Sequence, residues 1–423
     1  MKSFGEALRW LYGTQLFGVN LGLQSMERLL AELGLSTGQN TGKDQASENR
    51  TVEAHSESGP RFIHVAGTNG KGSTCAMLSA LCQEAGLKTG LYTSPHLISF
   101  RERIRLNGTD IPEAAALEGL QRIRTVIEDW PVHPTFFEIV TALALDWFQR
   151  QGADVVVLET GLGGRLDATN VVVPLVSVLT PIGLDHQGIL GETLGAIATE
   201  KAGILKPGVP AVTARQDPAV MQVLEQTAGR LGCGLHVVSQ PWDGGSLGLA
   251  GQVQRWNAAL ALLALDAAGI AVPPERIPNV LAGVQWPGRF QRVGESLVLD
   301  GAHNAPAAEA LVATWREVFP GEKASLVFGA LMDKDVRAVL QILEPIAGEL
   351  VLVPVRSPRA LTVPQIAALV AEVLPMVPCR QTSSLKEALA EVSPRRRLVS
   401  GSLYLVGEAL GLLQGVSPEW SAQ

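Results

Sequence analysis

The sequence predicts an α/β protein of two domains, a larger one on a mainly parallel sheet and a smaller one after it. Three observations lead there. Short β-branched runs alternate with helical patterns from Phe62 onward, as βαβ units do. A glycine-rich turn stands between the first run and the first of these helices, where parallel sheets build anion-binding loops. After a proline-containing stretch at 272–288 the alternation begins again, as a second sheet requires.

The elements follow in order. Two amphipathic patterns open the chain, around Phe4 to Leu11 and from Leu23 to Leu33, where Leu23, Met26, Leu29, Leu30 and Leu33 share one face. Gly34 stops the second. Residues 36–60 hold only Ala46, Val52 and Ala54 from the hydrophobic set, so a polar surface insertion is expected there. Phe62 to Ala66, Lys71 to Ala85 and Thr89 to Thr93 make the first βαβ unit. Asn107-Gly108, between alternating residues from Arg103 to Ile111, signals a hairpin beside the sheet. Further strands are expected at Asp154 to Glu159, Leu175 to Thr180 and Val209 to Thr213. Helices are expected at Phe136 to Gln149, Glu192 to Ala202, Pro218 to Leu231 and about Val253 to Ala268. The second series has strands at Leu297 to Asp300, Ser325 to Phe328, Glu349 to Pro354 and Arg397 to Ser400. Its helices start near Ala305, Lys334, Pro364 and Ser384, which reads as a smaller Rossmann-like domain. The expected domains are 1–292 and 293–423.

At 423 residues and 46% hydrophobic the chain can fill two cores. A formal net charge of -7, without a local basic patch, argues against a nucleic-acid partner. Glu6 and Arg9 stand where a signal peptide needs an apolar run, and no later run approaches about eighteen apolar residues. A soluble cytoplasmic protein with no membrane partner is expected. Cys75, Cys82, Cys233 and Cys379 form no C-x-x-C pair, and the first two lie seven apart on one helix, so buried reduced thiols are expected.

The strongest chemical signal is Gly67-Thr68-Asn69-Gly70-Lys71-Gly72-Ser73-Thr74, directly after the apolar strand Phe62 to Ala66 and opening a helix. Glycines let backbone N–H groups approach phosphate, the helix dipole favours negative charge, and Lys71 can neutralise β- and γ-phosphates. Ser73 or Thr74 can offer a hydroxyl to phosphate or Mg²⁺. The loop departs from G-x-x-x-x-G-K-[ST] in its glycine spacing and in placing Gly72 between lysine and hydroxyl. Ser94 and Glu159 both end strands and so reach the carboxyl edge of the sheet, where open α/β folds bind ligands. A carboxylate beside a phosphate loop can hold Mg²⁺ directly or through water. His186 follows the next strand and can be a core histidine, a general base or a metal ligand. Lys201 lies at the end of a helix, where a lysine caps carbonyls or pairs with its neighbour Glu200.

Taken together, His64 to Ser73, Thr93-Ser-Pro-His, Phe100-Arg-Glu-Arg-Ile, Glu159 to Asn170, Leu184-Asp-His and Glu200-Lys-Ala-Gly-Ile resemble the folylpolyglutamate synthase / dihydrofolate synthase branch of the Mur ligase superfamily. Trp286-Pro-Gly-Arg-Phe, Leu299 to Asn304, Phe328 to Asp335 and Gly401 to Glu408 agree with it. The resemblance implies an acid–amino-acid ligase that uses ATP and Mg²⁺, in two ions, to add L-glutamate to dihydropteroate or reduced folates through an acyl phosphate. It implies metal positions at Ser94, Glu159, His186 and Lys201, with Lys201 carried as a carbamate and Lys71, His186 and Lys201 taking part in catalysis. Nucleotide contacts are implied for Gly67 to Thr74, Asn257, Arg289, Asp300 and His303. The pterin is implied near Thr135, Phe136, Phe137 and Glu138 and near Arg165, Leu166 and Asp167. Two phenylalanines give flat apolar surface for a ring, although at a helix start they are more often core. Partners would be small molecules only, and the chain a monomer. The rivals are a Mur-type peptidoglycan ligase, which would need a UDP-binding domain not evident in the sequence, and a P-loop ATPase switch.

Overall fold

The computed structural model describes residues 1–17, 22–37, 59–391 and 393–419. Most of the expected insertion at 36–60 lies outside the described residues. Helices α1 (Phe4–Gly13) and α2 (Gln24–Leu33) open the chain, and Gly34 closes α2 with a φ of 70°. Strand β1 (Arg61–Ala66), α3 (Lys71–Glu84) and β2 (Thr89–Tyr92) are the first βαβ unit. Then come β3 (Ile104–Leu106) and β4 (Thr109–Asp110), joined by Asn107 and Gly108 at φ 48° and 76°, the two left-handed residues that a tight hairpin requires.

The larger sheet continues with α4 (Glu113–Ile127), α5 (Phe136–Arg150), β5 (Val155–Glu159), β6 (Val176–Leu179), α6 (Gln187–Leu190), α7 (Leu194–Ala202), β7 (Ala211–Thr213), α8 (Pro218–Leu231) and β8 (Leu235–Val237). Its order is β4-β3-β2-β5-β1-β6-β7-β8, parallel except at the β2–β3 and β3–β4 pairs. The pleat sorts side chains by parity. Ile63, Val65, Val155 and Val157 pack with α3 and the helix α9 (Gln252–Ala267) on one face. Phe62, Tyr92, Val156 and Leu158 pack with α1, α2, α4 and α5 on the other. Covered on both faces, the central strands read as unbroken apolar runs.

After α9 and α10 (Ile277–Gly283) the chain enters the second sheet at β9 (Gln291–Val293) and β10 (Leu297–Leu299). It goes on through α11 (Ala305–Val318), β11 (Ala324–Phe328), α12 (Val336–Leu343), β12 (Ala347–Leu352), α13 (Val363–Val373), β13 (Cys379–Gln381), α14 (Leu385–Ala390), β14 (Arg397–Ser400) and α15 (Leu403–Gln414). The order is β13-β12-β11-β14-β10-β9, parallel except for the β9–β10 pair. Leu326, Phe328 and Leu350 meet α11, α12 and α13, while Val327, Val351 and Val399 meet α14 and α15. The fold is thus α/β with two mainly parallel sheets, as expected. Helices α4, α6, α10 and α15 and strands β8, β9 and β13 had not been anticipated, and the second sheet begins at Gln291. Cys75, Cys82 and Cys233 are buried free thiols, but Cys379 is exposed on the edge strand β13, a departure from the expectation. Among the described residues no helix is long and apolar enough to cross a membrane.

Candidate active site

Strand β1 ends in the glycine loop, and the loop is braced from below. The amides of Thr68 and Asn69 both donate to the carbonyl of Pro181, at 3.0 and 3.2 Å. Gly70 lies at φ 88°, and a Cβ there would sit 2.7 Å from Asn257 Oδ1, so glycine is what lets α9 come this close. The first intrahelical bond of α3 runs from Thr74 N to Gly70 O at 2.9 Å. The amides of Lys71, Gly72 and Ser73 precede it and have no partner within the helix, which makes the N-terminus an anion cradle. Ser73 Oγ, Thr74 Oγ1 and Asn257 Oδ1 are buried without a hydrogen-bond partner among the described residues. Lys71 Nζ folds back onto the loop, donating to the carbonyls of Gly67 and Thr68 at 3.2 and 3.3 Å.

Strand ends β2 and β5 bring Ser94 and Glu159 together, with the Ser94 amide donating to Glu159 Oε2 at 3.3 Å. Burial pushes the Glu159 carboxyl up to about 7, against the opposing pull of Lys71. Lys201 neither caps its own helix nor pairs with Glu200, which is engaged with Arg165 at 2.8 Å. It crosses to the loop, where Nζ donates to Gly67 O at 2.9 Å. Burial, followed by the charge of Lys71, brings the Lys201 amine down to about 7. His186, at φ 52° before α6, is brought down to about 4 by burial and Lys334. Its neighbour Asp185 accepts from Lys334 Nζ at 2.5 Å and from Asn304 Nδ2 at 2.9 Å. Burial would raise Asp185, but His303 and Lys334 outweigh it and hold the carboxyl far below the usual range.

The expected metal positions therefore fall in three places. The Ser94 amide meets Glu159, His186 stands with Asp185 and Lys334, and Lys201 lies on the Gly67 carbonyl. Among the described residues no three His, Cys, Asp or Glu side chains form a ready-made cluster. The charge of Lys71 lowers Glu159, His186 and Lys201 alike, and Lys71 and Lys201 both donate to the Gly67 carbonyl. The oxygen donors suit Mg²⁺, a buried carboxylate and hydroxyls unpartnered among the described residues, while the neutral imidazole of His186 is the softer member of the set.

The segment expected to meet a pterin has a local duty first. Thr135 and Glu138 form a capping box at the start of α5, with Glu138 Oε2 accepting from Thr135 N and Oγ1 at 2.7 and 2.8 Å. Glu138 Oε1 is buried and unpartnered among the described residues. Phe136 is core, stacked on Tyr12 with ring centroids 5.8 Å apart. Phe137 is half-buried beside Tyr92 and Gly161. Asp167 is buried and its carboxylate is used by its own loop, accepting from the amides of Gly161, Leu162 and Thr169. That leaves Arg165, exposed apart from Glu200, and Leu166 as the accessible members of this loop. A Cβ on Gly164 would lie 2.8 Å from the carbonyls of Glu200 and Lys201, so the loop is seated directly on the end of α7.

From the second sheet, Asp300 accepts from Phe290 N and Ala302 N and so holds the turn that carries Arg289. His303 Nε2 stands 3.7 Å from Asp185 Oδ2. A cavity of about 360 Å³ lies between the two sheets, lined by Gly72, Ser94, Glu159, Trp286, Arg289 and Leu403 among others.

The sequence profile of the Mur ligase middle domain matches residues 65–237, and that of the Mur ligase glutamate ligase domain matches residues 288–403. The dihydrofolate synthase/folylpolyglutamate synthase of Bacillus subtilis is 37% identical over 392 residues, 85% of this chain and 86% of that protein. The chain belongs to this family. The structure of Escherichia coli FolC in complex with DHPP and ADP superposes with a TM-score of 0.84 at 31% identity, covering 98% of both chains. The Yersinia pestis bifunctional folylpolyglutamate synthase/dihydrofolate synthase complexed with AMPPNP and Mn ion gives 0.83 at 31% identity, again covering 98% of both. In this member of the folylpolyglutamate synthase family, residues outside the expected set also converge on the site. Asp185 and Lys334 lay inside recognised motifs, but no local signal paired them. Arg103 and Asn304 also lay inside recognised motifs without a role, and Glu419 lay in none; their burial or contacts depend on segments far apart in sequence.

Proposed function

We propose that this chain is an ATP-dependent acid–amino-acid ligase that joins L-glutamate to dihydropteroate, to reduced folate (poly)glutamates, or to both. The single observation that carries this reading is the inter-sheet cavity, where the open N-terminus of α3, the buried Glu159 and Arg289 of the second sheet meet. An acceptor carboxylate oxygen attacks the γ-phosphorus of ATP and ADP leaves. The glutamate α-amine then attacks the acyl carbon, and phosphate leaves as the amide forms. Carboxylate oxygen is a poor leaving group, which is why the phosphoryl group is needed.

The residues divide the work. The amides of Gly70 to Ser73 and the ammonium of Lys71 hold the phosphates and stabilise charge on the transferring group. Gly67, Thr68 and Asn69 fix the loop, Asn257 and Arg289 contact the nucleotide, and Asp300 with His303 adds nucleotide contacts from the second sheet. Ser94, Glu159, His186 and Lys201 would hold magnesium, in two ions, which when bound supplies charge neutralisation on the phosphates. Lys201 serves as a carbamate. Its buried amine, already near 7, has the neutral form that CO₂ requires. Phe137, Leu166 and Arg165 face the pterin, with Phe136, Thr135, Glu138 and Asp167 shaping the walls behind them. We assign residues 1–292 to ATP binding and 293–423 to glutamate ligation, in a monomeric cytoplasmic protein. Closing the units excludes water from the acyl phosphate.

The test is an acceptor panel of dihydropteroate, tetrahydrofolate and a folate monoglutamate, with glutamate incorporation followed by mass. Product should require ATP, glutamate and one of these acceptors together. ATP turnover indifferent to both co-substrates would replace this reading with the switch.

A further inference from the structure

Glu419 makes four hydrogen bonds to residues more than three hundred positions before it. Beyond α15 the backbone reverses at Gly415 (φ 69°), and Pro418 returns against Gly411, where a Cβ would lie 2.8 Å from its ring. This brings Glu419 onto the loop that follows β2. Its amide donates to Ile98 O at 2.7 Å, and its carbonyl accepts from His96 Nε2 at 2.6 Å. Its carboxylate Oε2 accepts from Phe100 N at 2.6 Å and from Ser99 Oγ at 3.2 Å. One residue thus fastens a helix of the second sheet to a loop of the first.

That loop runs between the two halves of the site. At one end Ser94 N meets Glu159 Oε2 at 3.3 Å. At the other, Arg103 is fully buried with its guanidinium carbon 5.4 Å from the centre of the Phe136 ring, its two terminal nitrogens unpartnered among the described residues. His96 joins the ends. Its Nδ1 accepts from Arg103 Nε at 2.8 Å, so its proton is on Nε2, and the Glu419 carbonyl receives it. Glu102 organises the loop from within by accepting from the amides of Leu97, Ile98 and Ser99. Glu419 adds a hydrogen-bonded connection to the far side of the cavity, beside the seat of α15 on Leu97, where a Cβ on Gly407 would lie 2.2 Å from the Leu97 carbonyl oxygen.

We infer that Glu419 is a positioning residue for this reaction. It holds the 94–103 loop in register with the second sheet, so that the acceptor and the phosphate meet correctly when the units close. The inference rests on the ligase reading above. Without Glu419 the buried Nε2–H of His96 and the amide of Phe100 lose their acceptors, and the loop is free to shift at both ends. The glycine loop is braced independently by Pro181, so nucleotide binding does not depend on Glu419.

The experiment compares the whole chain with Glu419→Gln, Glu419→Ala and a chain ending at Gly415. The Gln variant keeps the backbone contacts and a neutral acceptor; Ala keeps the backbone contacts only; the shortened chain keeps neither. Acceptor kcat/KM should fall in that order, by about tenfold or more in the shortened chain, as misplacement of reacting groups predicts. ADP affinity, measured without divalent cation, should stay within about threefold, since the phosphate cradle is untouched. Amide exchange at residues 96–103 should quicken while β1 and β5 keep their protection. Wild-type acceptor kinetics in the shortened chain overturn the inference, and so does a parallel loss of ADP affinity and global protection. A wild-type chain that ligates no glutamate to any acceptor defeats the ligase reading instead, and that arm is read first.

Discussion

Asn69 and Asn304 exchange hydrogen bonds through their side-chain amides, Nδ2 to Oδ1 at 3.0 Å in one direction and 3.2 Å in the other. Asn69 belongs to the glycine loop and Asn304 is the N-cap of α11, accepting from Ala307 N at 3.0 Å. Asn304 also donates to Asp185, the carboxylate that Lys334 holds. The phosphate loop and the second sheet therefore share one polar junction, and each of its hydrogen bonds joins residues more than a hundred positions apart.

Asn304→Ser separates the junction from the cap. Serine caps a helix about as well as asparagine but is too short to reach Asn69 or Asp185. A kcat lower by about tenfold is expected, with melting changed by only about 2–3 °C. Unchanged kcat would mean that the junction is packing and nothing more.

Lys71→Ala removes the one ammonium on the glycine loop. The side chain bonds only to loop carbonyls here, so the fold has little to lose. Turnover should drop by about 10²-fold or more, since a well-placed charge donor in a closed site contributes roughly 3 kcal/mol. A drop below about tenfold at unchanged stability speaks against the assignment.

Lys201→Arg keeps charge and length but cannot form a carbamate. Ligase activity should be mostly lost, and Lys201→Ala should recover part of it when short carboxylates are added. The buried setting of Lys201, on Gly67 O and away from Glu200, removes the alternative in which it is a surface cap. Near-normal turnover in the arginine variant would end the carbamate proposal.

His64 gives a pH signature of stability. It is fully buried on β1, bonded to Thr169 Oγ1 at 2.8 Å, and burial brings its imidazole down to about 3. Between pH 6.5 and 3 the unfolded chain binds a proton there that the folded chain refuses, so stability falls as pH drops through that window. The slope is about 1.4 kcal/mol per pH unit. Glu159, raised to about 7 by burial, acts in the opposite sense between pH 7 and 4.5. The measurement is therefore a difference: urea unfolding of wild type and His64→Gln from pH 7 to 4.5, where the variant should lose stability less steeply. Parallel curves would show that His64 takes up its proton in the folded state.

Local order was legible in the sequence because it is written locally. The period of β-branched runs, the glycines after Phe62 to Ala66 and the Asn107-Gly108 turn each act within a few residues, and β1, the loop, α3 and the hairpin follow from them. Helix α4 was equally readable, with Ala116, Leu120, Ile123 and Ile127 on one face, yet the expected elements passed over it. Thr135-x-x-Glu138 carried a capping signal that the pterin reading obscured. Strands β8, β9 and β13 have three residues each, too few to show a period, and exist because a neighbouring strand supplies their hydrogen bonds. The site divides in the same way. Gly67 to Thr74, Ser94 and Glu159 were identifiable as residues at strand ends. The partnerships Asp185 with Lys334, Asn69 with Asn304 and Phe100 with Glu419 span 149, 235 and 319 residues. No local pattern encodes such pairs, because each partner's energy depends on where the other sheet comes to rest. Only the packed chain decides which buried polar groups satisfy one another.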